Sequence, residues 1–220
     1  MFNRRTEKLR GLVVSVTRIP VAYVLATIQS ESGGIIGKTG KVALGLMQVL
    51  KSTLRSFNEK TGGSFTVSNM TGKTERDARA QIQVGSWYLK RCLVAVHNVD
   101  PALFPWPVGP MSDQQAQYAS LCYLQGIGGF LSYRRRALRA GYTDNLEGME
   151  RYHNMVETDF GKPYNRPFRY VHKVFNLYKK DRGGVPSEAL VPSDGSDGGI
   201  VLMAMATGLL FAYWLKKRSS

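Results

Sequence analysis

Apolar side chains recur three and four positions apart in several stretches of this chain, and each such stretch predicts an amphipathic helix. Leu9, Val13 and Val16 stripe a first helix over Arg4 to Thr17. Pro20 suits a helix start, and Val21, Val24, Leu25 and Ile28 give the helix behind it an apolar face, with the first helix packed beneath it. Thr74-x-x-Asp77 has capping-box spacing and opens the clearest helix, with Ala78, Ile82, Gly85, Leu89, Leu93 and Val96 on one side. Ser112-x-x-Gln115 opens another, where Ala116, Ala119 and Tyr123 share an inward face. Asp144-x-x-Glu147 caps a further helix, and Val171, Val174, Phe175 and Tyr178 stripe the last of the set.

The stretches between are irregular. Five glycines from Gly33 to Gly45, with Ile35, Ile36 and Val42 among them, predict a loop or small hairpin arching over a cleft. Ser52 is placed to cap a short helix, and Gly62 to Gly72 is expected to add a strand or two. Four prolines between Asp100 and Pro110 require a loop there. Gly126, Gly128 and Gly129 break the chain before Phe130 to Ala140, whose Arg134-Arg135-Arg136 run reads as a solvated face. The expected fold is mainly α, a helical bundle around a groove with at most a small hairpin or sheet.

The C-terminal part changes character. Gly183 to Gly199 is rich in Gly, Pro, Ser and Asp without apolar period, and reads as a flexible linker. Ile200 to Leu215 then carries no charge; with the two preceding glycines it is roughly 18 residues, enough to span a bilayer. Tyr213 and Trp214 suit an interfacial belt, and Lys216-Lys217-Arg218 can reach the headgroups. The expected organisation is a folded domain over residues 1–182, a linker over 183–199, a transmembrane helix over 200–215 and a basic tail over 216–220. Positive charge after the span favours that end in the cytoplasm. Met1 to Arg10 is basic like a signal sequence, but Gly11 to Val16 is too short an apolar run for a cleavable one.

Length and charge bound the partners. The 220 residues allow one domain with a real core plus an appendage, and 30 Lys and Arg against 16 Asp and Glu give a net charge of +14. That balance fits a polyanionic partner, whether wall, lipid or nucleic acid, and equally a solvated basic face. Cys92 and Cys122 both fall on inward helix positions, as buried free thiols or as a disulfide.

Glu31 is the candidate for chemistry. At about 100° per residue it lands on the flank of the apolar stripe in the helix's last turn, before Gly33 and Gly34 end that helix. Half desolvated, a carboxyl there has its charged form disfavoured, which suits a general acid. Between Glu31 and Glu59 there is no other Asp or Glu, so Glu31 has no second acid nearby in sequence. His97, His153 and His172 show no ligand spacing, and neither metal nor cofactor is expected.

Glu31-Ser32-Gly33, a Gly-rich gap, Gly45-Leu46-Met47-Gln48 and then Ser52-Thr53 resemble the soluble lytic transglycosylase family of the lysozyme superfamily. Further matches follow in order: Gln81 to Leu89 resembles the family's Asn-Ile-x-x-Gly-x-x-Tyr-Leu helix, Leu121 to Gly126 its Ala-Ala-Tyr-Asn-Ala-Gly turn, and Glu157-Thr158 with Tyr170-Val171-x-Lys173-Val174 its C-terminal motifs. The resemblance runs from about residue 19 to residue 180. Lys51 replaces a family Pro, Gln81 an Asn, and Leu124 the Asn after Tyr, a group that lines the saccharide groove.

The resemblance implies a peptidoglycan lytic transglycosylase with Glu31 as acid and then base. It implies that Tyr123 holds the Glu31 rotamer, against the plainer reading of a core tyrosine. Gln48 is expected to reach the N-acetyl group or the acid's surroundings, Met47 to wall the groove, and Gly45 to let backbone approach the glycan. Ser32 either bonds the developing carboxylate or caps the helix end, and Tyr170 joins the substrate-binding set. Trp106 either stacks on a sugar ring or plugs the edge of the core. The resemblance implies peptidoglycan strands as partner; the C-terminal stretch adds a membrane, and its basic end motivates the hypothesis of partner proteins in a phage virion or a secretion or conjugation machine, with no specific nucleic acid expected. A hydrolytic lysozyme on the same scaffold and a non-enzymatic, membrane-anchored wall-binding protein are the competing readings.

Overall fold

The computed structural model describes residues 1–101, 111–158 and 166–182. Among them the chain forms α1 (Arg4–Glu7), α2 (Arg10–Val16), α3 (Val21–Glu31), β1 (Ala43–Leu44), β2 (Val49–Leu50), α4 (Lys51–Thr61), α5 (Val67–Thr71), α6 (Glu75–His97), α7 (Asp113–Gln125), α8 (Ile127–Arg139), α9 (Leu146–Thr158) and α10 (Arg166–Arg182). The fold is mainly α. Among the described residues the one sheet is the antiparallel pair β1–β2, with Ala43 opposite Leu50 and Leu44 opposite Val49.

The apolar stripes bury as their spacing requires. The Thr74 hydroxyl accepts from the Asp77 N–H while the Asp77 carboxylate accepts from the Thr74 N–H, which starts α6. Ala78, Ile82, Leu89, Leu93 and Val96 of that helix are fully buried. On it packs α7, and α10 packs on both α7 and α3, the three joined by Tyr23. Its hydroxyl donates to the Ala116 carbonyl at 2.9 Å and its ring meets Tyr178 edge-on at 5.5 Å, so one side chain ties α3 to α7 and α10.

Several local expectations are corrected. The first helix is two, α1 and α2, with a turn at Lys8 and Leu9. Asn3 caps α1 and also holds Gln29 and the Gly33 carbonyl, which fixes the start of α1 against the end of α3, and the turn lets Leu9 and Val13 swing into the core. Ser52 caps nothing: β2 runs directly into α4, whose N-cap is Leu50 with no side-chain bond. Instead of strands, Gly62 to Gly72 contains α5, started by a capping box between Thr66 and Asn69.

Gly128 and Gly129 lie inside α8, and only Gly126, at φ +79°, breaks the chain. Arg134 does not face solvent with its neighbours but forks onto Asp144, which also accepts from the Tyr118 hydroxyl at 2.8 Å. Occupied there, Asp144 leaves the start of α9 to Asn145, whose side chain accepts from the Gly148 N–H at 2.7 Å. The Gly33 to Gly45 stretch is, as expected, a loop that ends in a small hairpin: it carries β1 and a further bridge from Thr39 to Leu44, and the hairpin turn itself is Gly45 to Gln48.

Among the described residues no single helix is long and apolar enough to cross a membrane; α2 and α3 pass together by composition but are bent by 119°, and α3 is core. The expected linker, transmembrane helix and basic tail, and Trp106, lie outside the described residues. Cys92 and Cys122 are both buried and free.

The loop from Gly37 to Gln48 is held by Gln81, a fully buried amide on α6. Its Oε1 accepts from the N–H groups of Gly37 (3.1 Å) and Leu46 (3.0 Å), and its Nε2 donates to the carbonyls of Asn69 (3.1 Å) and Gly72 (2.9 Å). Four backbone groups lose their partner without it. Gln81→Leu is therefore expected to lower unfolding stability by about 3 kcal/mol or more in urea titration. A loss below about 1 kcal/mol contradicts the clamp.

Candidate active site

The site begins with where α3 stops. Gly33 and Gly34, at φ +66° and +77°, end the helix directly after Glu31 and Ser32. A helix C-terminus presents unpaired carbonyls and partial negative charge. Two ammonium groups answer it: Lys38 Nζ donates to the Glu31 carbonyl at 2.9 Å, and Lys173 Nζ to the Ser30 carbonyl at 3.4 Å. One comes from the glycine-rich loop, the other from α10.

The Glu31 side chain is half-buried among these groups. Burial pushes its carboxyl above the ordinary glutamate value, while Tyr170, Lys38 and Lys173 pull the other way and only partly offset it. Among the described residues the charges acting on it are both cations, and no second carboxylate is one of its neighbours. The Tyr170 hydroxyl is buried and makes no hydrogen bond of normal geometry, yet it stands close enough to Glu31 to act as a weak donor to it. Burial and the nearby Glu31 charge hold Tyr170 and Tyr123 well above the ordinary phenol range, so both are neutral donors at neutral pH.

The other expected site residues are drawn inward. Tyr123 does not hydrogen-bond Glu31: its hydroxyl donates to the Met47 carbonyl at 2.7 Å, because the hairpin turn brings that carbonyl under α7. Met47 is no groove wall but a fully buried core side chain lying on Gly85, where a Cβ would stand 2.4 Å from its Sδ. Gly45 does make a close approach, although to protein: at φ +75°, a Cβ there would meet Gln81 Cγ at 2.8 Å. Gln48 Nε2 donates to the carbonyls of Lys38 (3.0 Å) and Gly45 (2.8 Å), which ties the loop that carries Lys38. Ser32 is 1% exposed; its hydroxyl donates to the Ile28 carbonyl and accepts from the Gly34 N–H, so it caps the helix end.

Glu31 and Tyr170 thus meet, Tyr123 stands within the reach of Glu31's charge, and Ser32, Gly45, Met47 and Gln48 support the surrounding backbone. Sequence reasoning passed over Lys38 entirely and over the role of Lys173 and Gln81. The signal for Gln81 was present, a long amide on the inward stripe of α6 between Ala78 and Ile82. Lys38 had none, since a lone lysine in a glycine-rich loop reads as solvated. Among the described residues no cluster of His, Cys, Asp and Glu is arranged to hold a metal. The chain matches no protein-family model, no curated protein and no solved structure.

The raised proton affinity of Glu31 has a consequence for stability. The folded state holds this proton more tightly than the unfolded chain, so the contribution is complete below 4.5, the ordinary glutamate value, and is lost as pH rises through the higher folded value. Glu31→Gln, which stays neutral, is expected to melt above the wild type at about pH 7.5, with the difference closing as pH falls below 4.5. Thermal melts by circular dichroism across that range check this; a variant that is less stable at neutral pH contradicts it.

Proposed function

We propose that this chain is a peptidoglycan lytic transglycosylase in which one carboxyl, Glu31, serves as acid and then as base. The observation that supports the reading is the setting of Glu31: a half-buried carboxyl at the end of α3, its charge disfavoured by burial, with a neutral tyrosine and two ammonium groups as neighbours. The motif order from Glu31 to Lys173 supports the same family.

In this reading protonated Glu31 gives its proton to the glycosidic oxygen between N-acetylmuramic acid and N-acetylglucosamine as the C1–O4 bond breaks. The sugar's own acetamido group stabilises the anomeric carbon, so no second carboxylate is needed. Glu31, now a carboxylate, takes the proton of the muramoyl 6-hydroxyl while that oxygen bonds to C1. The products are a free 4-hydroxyl and a 1,6-anhydro ring, and Glu31 is protonated again. The neighbouring ammonium groups stabilise the carboxylate formed midway, and the Tyr170 hydroxyl can donate to it. The lactyl and stem-peptide carboxylates of the wall fit a chain of net charge +14. We further propose that residues 200–215 anchor the protein in a membrane, with the folded domain on the wall side, in a virion envelope or a secretion or conjugation machine.

Glu31→Gln is expected to lower the release of anhydromuropeptides from purified sacculi by at least about 100-fold while leaving the helical circular dichroism spectrum intact. Mass spectrometry of the wild-type digest is expected to show products one water lighter than hydrolysis gives. Full activity in the variant removes the assignment, and products with reducing ends replace it with a hydrolytic lysozyme.

A further inference from the structure

We propose that Lys38 and Lys173 are positioning residues for Glu31: two ammonium groups, one from the glycine-rich loop and one from α10, that seat on the last carbonyls of α3 and hold the acid between them. This assignment deepens the reading of Glu31 as a proton carrier and rests on it for its purpose, though not for its test.

The geometry is specific. The carbonyls of Ser30 and Glu31 are two of the four that an α-helix leaves without internal partners, and each receives one lysine. Both ammonium groups therefore lie within the last turn, where the dipole's negative end and the Glu31 carboxyl already concentrate negative charge. They reach it from different elements. Lys38 is carried by a segment fixed at both ends: Gln81 holds Gly37 beside it, and Gln48 holds the Lys38 carbonyl. Lys173 stands on α10 within one turn of Tyr170, whose hydroxyl acts on the acid.

The groups facing Glu31 from each neighbouring element can be named. Tyr170 and Lys173 come from α10, Tyr123 from α7, and Lys38 from the loop; from α1 and α2, which also pack on α3, no charged group is among those that act on the acid. The two phenols are neutral, so among the described residues the lysines alone bring charge that changes the acid's proton affinity. Burial drives Glu31 toward the neutral form, and the lysines restrain that drive. An acid that must also act as a base needs both tendencies, because a carboxyl that never ionises cannot take back a proton. A lysine that only capped the helix end, its charge screened from the carboxyl by water, would strengthen the fold and leave the carboxyl's titration where it is.

The test uses the full chain with ¹³C-labelled glutamate, the Glu31 carboxyl signal being assigned as the one missing from Glu31→Gln. Its titration midpoint is followed by NMR in the wild type, in Lys38→Met, in Lys173→Met and in the double variant. Each single substitution is expected to raise the midpoint by about half a pH unit and the double to raise it further, since partly exposed charges act through screened fields. Lys38→Arg and Lys173→Arg, which keep the charge, are expected to restore the wild-type midpoint. An unmoved midpoint in a double variant whose circular dichroism is native overturns the proposal, as does a midpoint that moves equally in the arginine variants. No substrate enters the measurement, so a wild type inert on sacculi sinks the glycan reading alone and leaves this result to be judged by itself.

Discussion

A carboxyl at the C-terminal end of a buried helix sits where its own charge is least welcome. Burial removes water from the carboxylate, and the helix dipole adds negative potential at the same place. Glu31 occupies that position, and much of the surrounding structure can be understood as making it tolerable. Gly33 and Gly34 stop α3 directly after it, Ser32 closes the helix end from inside, and Lys38 and Lys173 take the two carbonyls that flank it.

Holding those lysines in place is the work of residues further away. Gln81 fastens the loop at Gly37 and Leu46, so the loop's path past Lys38 depends on one amide buried in α6. Gly45 has no side chain because that amide fills the space, and Tyr123 secures the hairpin turn from the other side through the Met47 carbonyl. On the opposite flank, Tyr23 ties α3 to α7 and to α10, the helix that supplies Tyr170 and Lys173. The site thus depends on two independent clamps, one polar and one largely aromatic, that converge on the same helix end. It is this convergence, rather than any single contact, that sets how far Glu31 is from water.

The parts of this arrangement that follow from local rules were readable in the sequence. The stripes of α3, α6 and α10 bury as their spacing demands, the Thr74 capping box forms, and Glu31 is the last residue of its helix. What was not readable depends on neighbours distant in the chain. A tyrosine at the expected place does not say which acceptor its hydroxyl will meet, and Tyr123 finds a carbonyl rather than an acid. The same holds for Asp144, whose capping pattern was correct in form but lost to Arg134 and Tyr118 once α7 and α8 packed beside it. Gly62 to Gly72 was misread for a different reason, because its glycines and Phe65 obscured the Thr66 and Asn69 pair that starts α5. Lys38 could be recognised only after the loop had been folded back onto α3.

The proposed chemistry depends on the proton affinity of one side chain, and the direct measurement is the titration midpoint of the Glu31 carboxyl in the unaltered protein. A midpoint above 4.5, the ordinary glutamate value, is predicted, since burial outweighs the two lysines and Tyr170. A midpoint at or below that value would mean that the cations win, that Glu31 is ionised whenever the protein is folded at neutral pH, and that it is no general acid.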